Sequence, residues 1–393
     1  MQALRIAVAG CGPCGLATAL LLARQGHEVT LFERFTTPQP IGSGLMIQPT
    51  GFAVLQRIGV ADRVLSEGAK IERLFGKAGP RVVLDVHYSF LRKPQMFGIG
   101  VHRASLFDAI YDAVRAAQIP VCTGQTIAGS ELDGGGRRLQ FADGSSSERF
   151  DLIVDALGTR TPLASPCGRD LAYGALWTTV ELDDGFEQDV LEQRYRRASK
   201  MAGVLPIGRG ANGRPRAAFF WSLRQDRVGE WRSAGLAAWK AEVTALWPET
   251  ATLLEQIKTT EQLTFARYSH RTVRAPAERA MIHIGDAWHS ASPQLGQGAN
   301  MALLDAWALA VALADNRTLD EALRVAVSMR RGHVQLYQWL TALFTPVYQS
   351  DSRTLPFIRD RIVGPLSKLW PATWIQAAMV SGLIGKPLRT LGL

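Results

Sequence analysis

The sequence predicts a mixed α/β fold in three parts: a Rossmann-like unit that begins at the N-terminus, an inserted antiparallel β-sheet, and C-terminal helices. Three observations support this prediction. A glycine-rich loop stands between an apolar strand and an apolar helix near the start of the chain. Segments with β-like alternation and many aromatic residues fill residues 172–223. Beyond residue 313 the pattern is helical to the end, with interruptions expected at Pro346, Pro356, Pro365 and Pro371.

The composition is that of an ordinary globular protein. The 393 residues are 47% hydrophobic and 20% charged, so the chain can form two or three substructures and is too apolar to be disordered. Its net charge of +9 comes from dispersed basic residues, such as Arg137-Arg138 and Arg330-Arg331, whereas a nucleic-acid binder gathers them on one face. We therefore expect no nucleic-acid partner, and the positive charge favours anionic cofactors or acidic substrates.

Neither a membrane span nor a disulfide or metal site is predicted. Ile6–Ala23 has no charged residue and is about as long as a membrane span, but Gly10, Gly12 and Pro13 would break a helix there. Four cysteines make no disulfide framework, and the seven histidines show no metal-ligand spacing. The Cys11-x-x-Cys14 pair lies inside the glycine loop, so a packing role is preferred over redox chemistry. We expect an uncleaved cytoplasmic protein.

The glycine loop has the spacing of a dinucleotide-binding motif. Gly10, Gly12 and Gly15 follow an apolar strand and open a helix, and the next strand ends in Glu33. In such a unit the first glycine makes the turn, the second admits a diphosphate, and the third lets helix and strand pack closely. Glu33 is placed to accept hydrogen bonds from ribose hydroxyls. Because all parts of the motif occur in register, the sequence predicts a dinucleotide site here.

A second glycine-rich stretch carries the other half of the predicted site. The apolar strand Met281–Ile284 is followed by Gly285 and Asp286, and Gly296 and Gly298 precede a long apolar helix. The glycines allow bare backbone to approach a flat ligand. The start of the helix offers unpaired N–H groups and the positive end of the helix dipole. We expect an electron-rich ligand to bind there.

Between these stretches the pattern predicts a hairpin at residues 71–86 and helices at 103–117, 234–246 and 251–257. The loop Ile41–Leu45 is expected either to lie against a ligand ring or to turn the chain. The aromatic residues of the inserted sheet are interpreted as a wall of a substrate cavity, although packing on the face of a sheet is their commoner role. These residues are Tyr195, Phe219, Phe220 and Trp221.

Four features occur together in chain order: the glycine motif with Glu33-Arg34, the helix that starts at Arg103, the turn from Asp155 to Thr161, and the Gly285-Asp286 stretch. This arrangement resembles the class A flavoprotein monooxygenases, the FAD-dependent aromatic hydroxylases similar to para-hydroxybenzoate hydroxylase. The resemblance implies a discontinuous FAD-binding domain and a substrate-binding β-sheet domain inserted into it. The predicted bounds are 1–75, 100–170 and 272–320 for the FAD-binding domain, 76–99 and 171–271 for the β-sheet domain, and 321–393 for a C-terminal helical region.

The resemblance also assigns roles to residues on the nucleotide side. The three glycines of the loop would hold the FAD diphosphate, and Glu33 would hold the adenosine ribose. Arg103 matches the family's His-Arg-x-x-Leu pattern in His102-Arg103-Ala104-Ser105-Leu106 and would reach the FAD phosphate and the flavin. A solvated arginine near a helix start is the alternative interpretation of Arg103.

On the flavin side, Asp286 would bind ribityl or ribose hydroxyls, as the resemblance implies. Pro293 and the backbone of residues 296–298 would lie against the isoalloxazine ring. The helix from Ala299 would stabilise negative charge on its pyrimidine edge. The predicted cofactor-binding residues are Gly10, Gly12, Pro13, Cys14, Gly15, Glu33, Arg34, Gly44, Arg103, Asp286, Pro293, Gly296, Gly298, Ala299 and Asn300.

One turn departs from the family pattern. The family usually has Ala-Asp-Gly there and a Ser three residues later, whereas this chain has Ala156-Leu157-Gly158 and Thr161. Asp155 would point to the same face as Leu157 on a strand, so we hypothesise that it partly substitutes for the missing acid. In the family that acid is associated with FAD and transient NADPH contacts. Trp288 is heavier than the residue usual at its position and is expected to narrow the pocket.

The function implied by the resemblance is monooxygenation. NADPH or NADH would reduce bound FAD, O2 would add to give a flavin hydroperoxide, and one oxygen would pass to an electron-rich aromatic or enol substrate. A reductase or other oxidoreductase of related fold and a non-catalytic FAD-binding accessory protein remain alternatives, and both a monomer and a homodimer are compatible with the sequence. No residue stands out as a base. The pocket candidates are Pro293, His289 and Tyr195, and the further candidates by residue type are His87, Tyr88 and His270.

The C-terminal region has an unusual run of apolar residues, with Lys368, Lys386 and Arg389 among them. Such a run could meet a lipid surface or a protein partner. Helices that cover the core are the simpler interpretation. The apolar residues are Leu369, Trp370, Trp374, Ile375, Met379, Val380, Leu383 and Ile384.

Overall fold

The computed structural model describes residues 2–38, 43–93 and 96–393. Strands and helices mix in the first third of the chain, long strands dominate the middle, and helices follow to the C-terminus. The strands are β1 (Arg5–Ala9), β2 (Glu28–Phe32), β3 (Gly44–Ile47), β4 (Ala69–Ile71), β5 (Arg73–Ala78), β6 (Arg81–His87), β7 (Gly98–His102), β8 (Val121–Cys122), β9 (Ile127–Asp133), β10 (Gly136–Phe141), β11 (Leu152–Asp155), β12 (Arg169–Glu181), β13 (Val190–Arg196), β14 (Lys200–Arg209), β15 (Pro215–Arg224), β16 (Thr264–Thr272), β17 (Ala277–Glu278), β18 (Met281–His283) and β19 (His289–Ser290).

The helices frame these strands, and short 3-10 turns at Gly285–Ala287 and Pro293–Leu295 lead into the longest apolar helix. The helices are α1 (Pro13–Arg24), α2 (Pro49–Ile58), α3 (Ala61–Glu67), α4 (Arg103–Ala116), α5 (Val228–Leu246), α6 (Ala251–Glu255), α7 (Gly298–Asp315), α8 (Leu319–Tyr348), α9 (Thr354–Ile358), α10 (Gly364–Leu366), α11 (Ala372–Val380) and α12 (Pro387–Thr390), with a π-helical turn at Arg359–Val363.

A six-stranded sheet forms the predicted Rossmann-like unit. Its order is β17-β18-β11-β1-β2-β8, and all neighbours are parallel except the β17-β18 pair. Ile6, Ala7 and Val8 are completely buried, because helices or other strands cover both faces of a parallel sheet. The apolar run that matched a membrane span in length is therefore a strand, a turn and nearly all of helix α1.

An eight-stranded sheet with the order β19-β16-β12-β15-β14-β13-β5-β6 contains the predicted hairpin and the aromatic strands. Its neighbours are antiparallel, as expected for the inserted sheet, except β5 and β13, which pair in parallel. Two smaller pieces complete the strands: a three-stranded sheet β3-β7-β4 and the β9-β10 hairpin. The mixed α/β class is confirmed, while the exact domain bounds stay a prediction.

The two faces of the eight-stranded sheet have different neighbours. Alternate residues of a strand point to opposite faces, so Phe220 faces the interior cavity while Phe219 and Trp221 pack on the other side. There Phe219 meets the ring of Trp239 from α5 edge-on, with 6.1 Å between ring centroids. Of the four predicted wall residues, Tyr195 and Phe220 line the cavity, and Phe219 and Trp221 belong to the core beneath helix α5.

Helix α7 is the central core helix. By length and composition it is the one helix in the described residues that could cross a membrane, but 67% of it is buried inside the protein. It packs against α1, α2 and α8. Burial on nearly all sides explains why it is apolar all round.

The prolines of the C-terminal region interrupt its helices less than expected. Pro346 lies in the last turn of α8, and the carbonyl that loses its helical partner belongs to Ala342, which is exposed to solvent. Pro356 lies in the first turn of α9 and Pro365 in that of α10, where N–H groups have no intrahelical partner. Pro371 directly precedes α11. The predicted break at Pro346 is therefore wrong, because the helix continues to Tyr348.

Candidate active site

A cavity of about 1980 Å³ lies between the two large sheets and the C-terminal helices. The carboxyl ends of the parallel strands meet at one edge of it. Gly10 follows β1, Glu33 follows β2, Ala156 follows β11 and Ile284 follows β18, and all four line the cavity. Ligands of open parallel sheets bind at this edge, so the topology itself places the candidate site.

The glycine loop shows why each of its glycines is needed. Gly10 has a φ of +105°, and a Cβ there would lie 2.7 Å from the carbonyl oxygen of Ala156. A Cβ on Gly15 would lie 2.0 Å from the carbonyl oxygen of Gly10, so this glycine allows α1 to pack on β1 and does not itself line the cavity. A Cβ on Gly12 would meet no atom within 4 Å and would project into space that a ligand could fill.

The N-terminus of α1 is open to the cavity. No side chain caps it, Pro13 occupies its first turn, and that turn contains no acidic residue. Its unpaired N–H groups and the helix dipole therefore favour an anion.

Burial raises the pKa of Cys11 to about 12 and that of Cys14 well above its ordinary value, so both remain thiols. Both cysteines are free and buried.

Glu33 is held by its own loop. One carboxylate oxygen accepts the N–H of Cys11 at 3.1 Å, and the other accepts the N–H of Phe35 at 3.1 Å. Each oxygen keeps a further lone pair for a hydroxyl of a ligand. Arg34 lies over the Phe35 ring at 4.6 Å and also lines the cavity.

Asp286 opens on the cavity from a tight turn at the end of β18. The turn needs Gly285, which has a φ of +56° and would place a Cβ 3.0 Å from the Cys14 sulfur. Although Asp286 is exposed to the cavity, the protein around its carboxyl group displaces solvent and raises its pKa, and His289 and Arg103 offset part of that rise. Arg103 starts helix α4, lines the same cavity and donates its backbone N–H to the carbonyl of Ser43.

A buried carboxylate, Asp305 of α7, holds this turn in place. It accepts the N–H of Gly285 at 2.9 Å, His289 Nε2 lies 2.7 Å from it, and Arg330 Nε donates to it at 2.7 Å. Burial by itself would raise the pKa of Asp305, but His289 and Arg330 more than offset this and hold the pKa below its usual range. His289 is 5% exposed and does not line the cavity, so we correct its placement among the pocket candidates.

The network continues to His333. Burial and the neighbouring Arg330 lower the pKa of His333 to about 3, so its ring is neutral at physiological pH. A neutral ring accepts at Nδ1 from Arg330, at 2.9 Å, and donates from Nε2 to the carbonyl of Gly382, at 3.1 Å. This contact ties the C-terminal segment to the buried charges behind the site.

The sequence contains a signal for Asp305 that lies outside the recognised motifs. It is the single charged residue between Gly298 and Leu313, and an acid inside an apolar helix needs a buried partner. The expectation for Trp288 also needs correction, because its side chain is 3% exposed and packs in the main core, away from the cavity.

The N-terminus of α7 faces the cavity. Pro293, Gly296, Gly298 and Ala299 all line it, no side chain caps the helix, and its first turn has no acidic residue. Asn300 differs. It is completely buried, its Oδ1 accepts the N–H of Gln48 at 2.7 Å, and its Nδ2 donates to the carbonyls of Met46 and Gly296. We therefore correct the prediction for its side chain, which holds the loop together.

Asp155 does not replace the missing acid of the middle turn. It is completely buried, accepts the hydroxyl of Thr161 and lies against His283 Nδ1, both at 2.7 Å, and accepts the N–H of Leu157 at 3.0 Å. These bonds fix the turn, and the apolar side chain of Leu157 lines the cavity instead. The hypothesis of partial substitution is therefore wrong for this structure.

The far end of the cavity is apolar. Tyr195 donates its hydroxyl to Gln193 at 2.9 Å, and burial raises its pKa, so it is a neutral phenol at physiological pH. Trp177 stacks on Phe220 with 4.6 Å between centroids and donates to the Tyr268 hydroxyl at 3.1 Å. Other residues lining this end are Leu74, Val83, Leu84, Val86, Leu191, Met201, Leu205, Phe344, Tyr348, Met379 and Val380.

The remaining candidate bases do not reach the cavity. His87 lies 3.1 Å from Asp85, Tyr88 is buried and donates to Gln48 at 2.5 Å, and His270 does not line the cavity.

Gly44 lines the cavity at the start of β3, whereas Ile41 and Gly42 of the same predicted loop lie outside the described residues. The predicted site residues that meet at the cavity are Gly10, Gly12, Pro13, Cys14, Glu33, Arg34, Gly44, Arg103, Tyr195, Asp286, Pro293, Gly296, Gly298 and Ala299.

These features fit an FAD molecule. The cavity is larger than the roughly 300–1,000 Å³ of ordinary ligand pockets, which leaves room for a large cofactor together with a substrate. Two uncapped helix N-termini open on it, and a Cβ on Gly12 or Gly298 would meet no protein atom within 4 Å. The open faces of these two glycines are the space into which a ligand's diphosphate and ring would fit.

Comparison with known proteins agrees with this fit. The model of the family described as FAD binding domain matches residues 3–334. The chain is 28% identical to 6-methylpretetramide 4-monooxygenase of Streptomyces rimosus over 345 residues, which are 83% of this chain and 79% of the relative. It is 27% identical to 3-(3-hydroxy-phenyl)propionate/3-hydroxycinnamic acid hydroxylase 2 of Burkholderia vietnamiensis over 380 residues, which are 91% of this chain and 66% of the relative.

The fold is also similar to that of solved structures. The crystal structure of Klebsiella pneumoniae HpxO complexed with FAD and uric acid superposes with a TM-score of 0.81 at 18% identity, and the match covers 98% of each chain. At this identity the likeness concerns the fold.

Proposed function

Because the chain belongs to the FAD-binding family of flavin-dependent aromatic hydroxylases and monooxygenases, we propose that it oxygenates a neutral, lipophilic aromatic substrate with NADPH or NADH as reductant. The single observation that carries the substrate class is the absence of charge at the apolar end of the cavity. Among the described residues that β5, β6, β13–β15 and α8–α11 contribute to the lining, none is charged. A substrate carboxylate would lose its hydration there without gaining a partner.

When bound, FAD supplies the redox and oxygen-activating chemistry, and the protein binds and orients it. The open N-terminus of α1 beside Gly12 would hold the diphosphate, and Glu33 would accept from the adenosine ribose. Asp286 would accept from ribityl hydroxyls. The start of α7 would stabilise negative charge on the pyrimidine edge of the ring.

Six arginines among the lining residues support the use of a nicotinamide dinucleotide, because its phosphates are anionic. None of them comes from the strands and helices that form the apolar end. Leu157 offers no polar contact, so these arginines would carry the recognition of the reductant. They are Arg34, Arg103, Arg160, Arg169, Arg267 and Arg271.

The apolar end would exclude water and orient the substrate ring. Trp177 and Phe220, whose rings stack on each other, both line it. Tyr195 and Tyr268 act as neutral phenols, because burial raises the pKa of both, that of Tyr268 to about 12. Both can donate or accept hydrogen bonds, but neither serves as a base at neutral pH.

The test uses the purified protein with bound FAD. NADPH and NADH oxidation are followed under air with pairs of phenols that share one ring and carry either an alkyl or a carboxylate substituent. We expect the alkyl phenol to gain one oxygen and the carboxylate partner to react poorly. A protein that takes up no FAD would overturn the function, and preferred turnover of the carboxylates would overturn the substrate class. Flavin reduction without oxygenated product would favour the reductase alternative.

Asp286→Ala tests the cofactor arrangement directly. We expect weaker FAD binding in a titration, because an acceptor for ligand hydroxyls is lost, and Asp286→Asn should retain part of the affinity. Unchanged FAD affinity in Asp286→Ala would contradict the assigned role.

A further inference from the structure

The C-terminal helices expose an unusual amount of apolar surface. The residues between 357 and 374 are part of the described chain, and six of their large apolar side chains are at least 48% exposed, among them Trp370 at 78%. Contiguous apolar surface of this kind marks an interaction site in a folded protein. The six are Phe357, Ile362, Leu366, Leu369, Trp370 and Trp374. We call them the C-terminal apolar patch.

The patch continues into the mouth of the cavity. Leu366 belongs to the patch and also lines the cavity, and its neighbours Val363 and Ile375 are likewise both exposed and cavity-lining. Across the mouth, Leu343 of α8 is 50% exposed and lines the cavity. Trp339 lies one helical turn before it and is 62% exposed. The apolar end of the cavity therefore opens through apolar surface.

The exposed charged side chains of the C-terminal segment have one sign. Within residues 352–393, which the structure describes throughout, the exposed charged side chains are all basic. The one acid in this range, Asp360, is partly buried and paired with the buried Arg359 at 2.7 Å. The exposed cations are Arg353, Arg361, Lys368, Lys386 and Arg389.

We propose that the C-terminal apolar patch docks on an anionic lipid surface, so that the mouth of the cavity faces the membrane from which a lipophilic substrate enters. Exposed apolar side chains that include tryptophans, in a segment whose exposed charged side chains are all basic, match the layered chemistry of a bilayer surface with anionic headgroups. A second copy of the chain would bring two basic segments together, so charge complementarity favours the lipid. The delivery of substrate rests on the proposed function, whereas docking requires no turnover.

The experiment is flotation of the FAD-bound protein with vesicles of phosphatidylcholine alone or of phosphatidylcholine mixed with phosphatidylglycerol. We expect binding to the mixed vesicles, weakened by added salt. Trp370→Glu and Leu369→Glu should lower the partition coefficient on the order of tenfold each, because apolar contact is replaced by a repelled charge. Lys368→Gln should lower it about fivefold. Neither Trp370 nor Leu369 lines the cavity, so flavin content should not change.

The matched control is Leu132→Glu, because Leu132 is 52% exposed on β9 and lies outside the patch. It should bind vesicles like the unaltered protein. A folded, FAD-bound protein that binds neither vesicle would overturn the proposal, and so would equal binding to neutral and anionic vesicles. Self-association abolished by Trp370→Glu, without vesicle binding, would assign the patch to a second copy instead. Vesicle binding by a protein without oxygenase activity would support docking and reject only the reaction.

Discussion

The two ends of the cavity are built on opposite principles. At the polar end, a buried hydrogen-bond network fixes the turn that carries Asp286. Its members are Asp305, His289, Arg330 and His333. At the apolar end, the lining is uncharged and opens through exposed apolar side chains. A cofactor that must be held in one orientation is matched by preorganised donors and acceptors, whereas the substrate end relies on shape and the exclusion of water.

The largest effect should come from the centre of the polar network. Asp305→Ala leaves Arg330, His289 and the N–H of Gly285 without their buried acceptor, and we expect a loss of roughly 3–5 kcal/mol of unfolding free energy. Urea denaturation of the FAD-free proteins measures it. Asp112→Ala is the control, because Asp112 pairs with Arg63 on the surface and should cost about 1 kcal/mol or less. Equal losses in the two variants would show that the network does not stabilise the turn.

The same network predicts a pH dependence of stability. The folded-state pKa of His333 is lowered to about 3, so between its unfolded pKa and that value the unfolded chain binds a proton that the folded protein does not. Stability is then full above about pH 6.5 and falls as the pH decreases, by roughly 2 kcal/mol at pH 5. His333→Gln can keep both hydrogen bonds without titrating, so its denaturation midpoints should depend less on pH. Identical pH profiles would contradict the assignment of a buried neutral imidazole.

The glycine loop separates ligand binding from folding. Gly12→Ala adds a methyl group to open cavity space, so we expect FAD affinity to fall by about tenfold or more, equivalent to about 1.4 kcal/mol, while the stability of the FAD-free protein is kept. Fluorescence titration with FAD measures this. Gly135→Ala is the control, since its Cβ also meets no atom within 4 Å but lies in the β9-β10 turn. Unchanged FAD affinity in Gly12→Ala would contradict the assignment of the FAD diphosphate to this loop.

The smallest effect is expected at the apolar end. Tyr268→Phe removes the acceptor of the Trp177 indole N–H, but both residues border the cavity, where water can replace the lost bond. We expect a change of about 1 kcal/mol or less in unfolding free energy. A loss as large as that of Asp305→Ala would mean that the apolar end is also organised by polar contacts, which would remove the contrast between the two ends.

Some of the site could be predicted because local patterns report local chemistry. The strand, glycine loop, helix and Glu33 are contiguous, and the structure places them at the cavity. The positions of Asn300 and His289 could not be predicted, because sequence neighbours of a site can point away from it. The Asn300 side chain hydrogen-bonds to backbone groups of residues 46–48, which are distant in sequence. His289 hydrogen-bonds to Asp305, which lies on another element.

The sequence by itself determined the mixed α/β class, the two glycine-rich stretches and the family, because glycine spacing and apolar periodicity follow from the backbone geometry of single elements. Only the tertiary structure decided which carboxylate does what. Asp155 and Asp305 are buried and hold turns in place through hydrogen bonds, whereas Asp286 lines the cavity. All three follow or occupy apolar segments. The reason is that the role of an ionisable group depends on the charges and donors that other elements bring to it, and these partners meet only when the chain is folded.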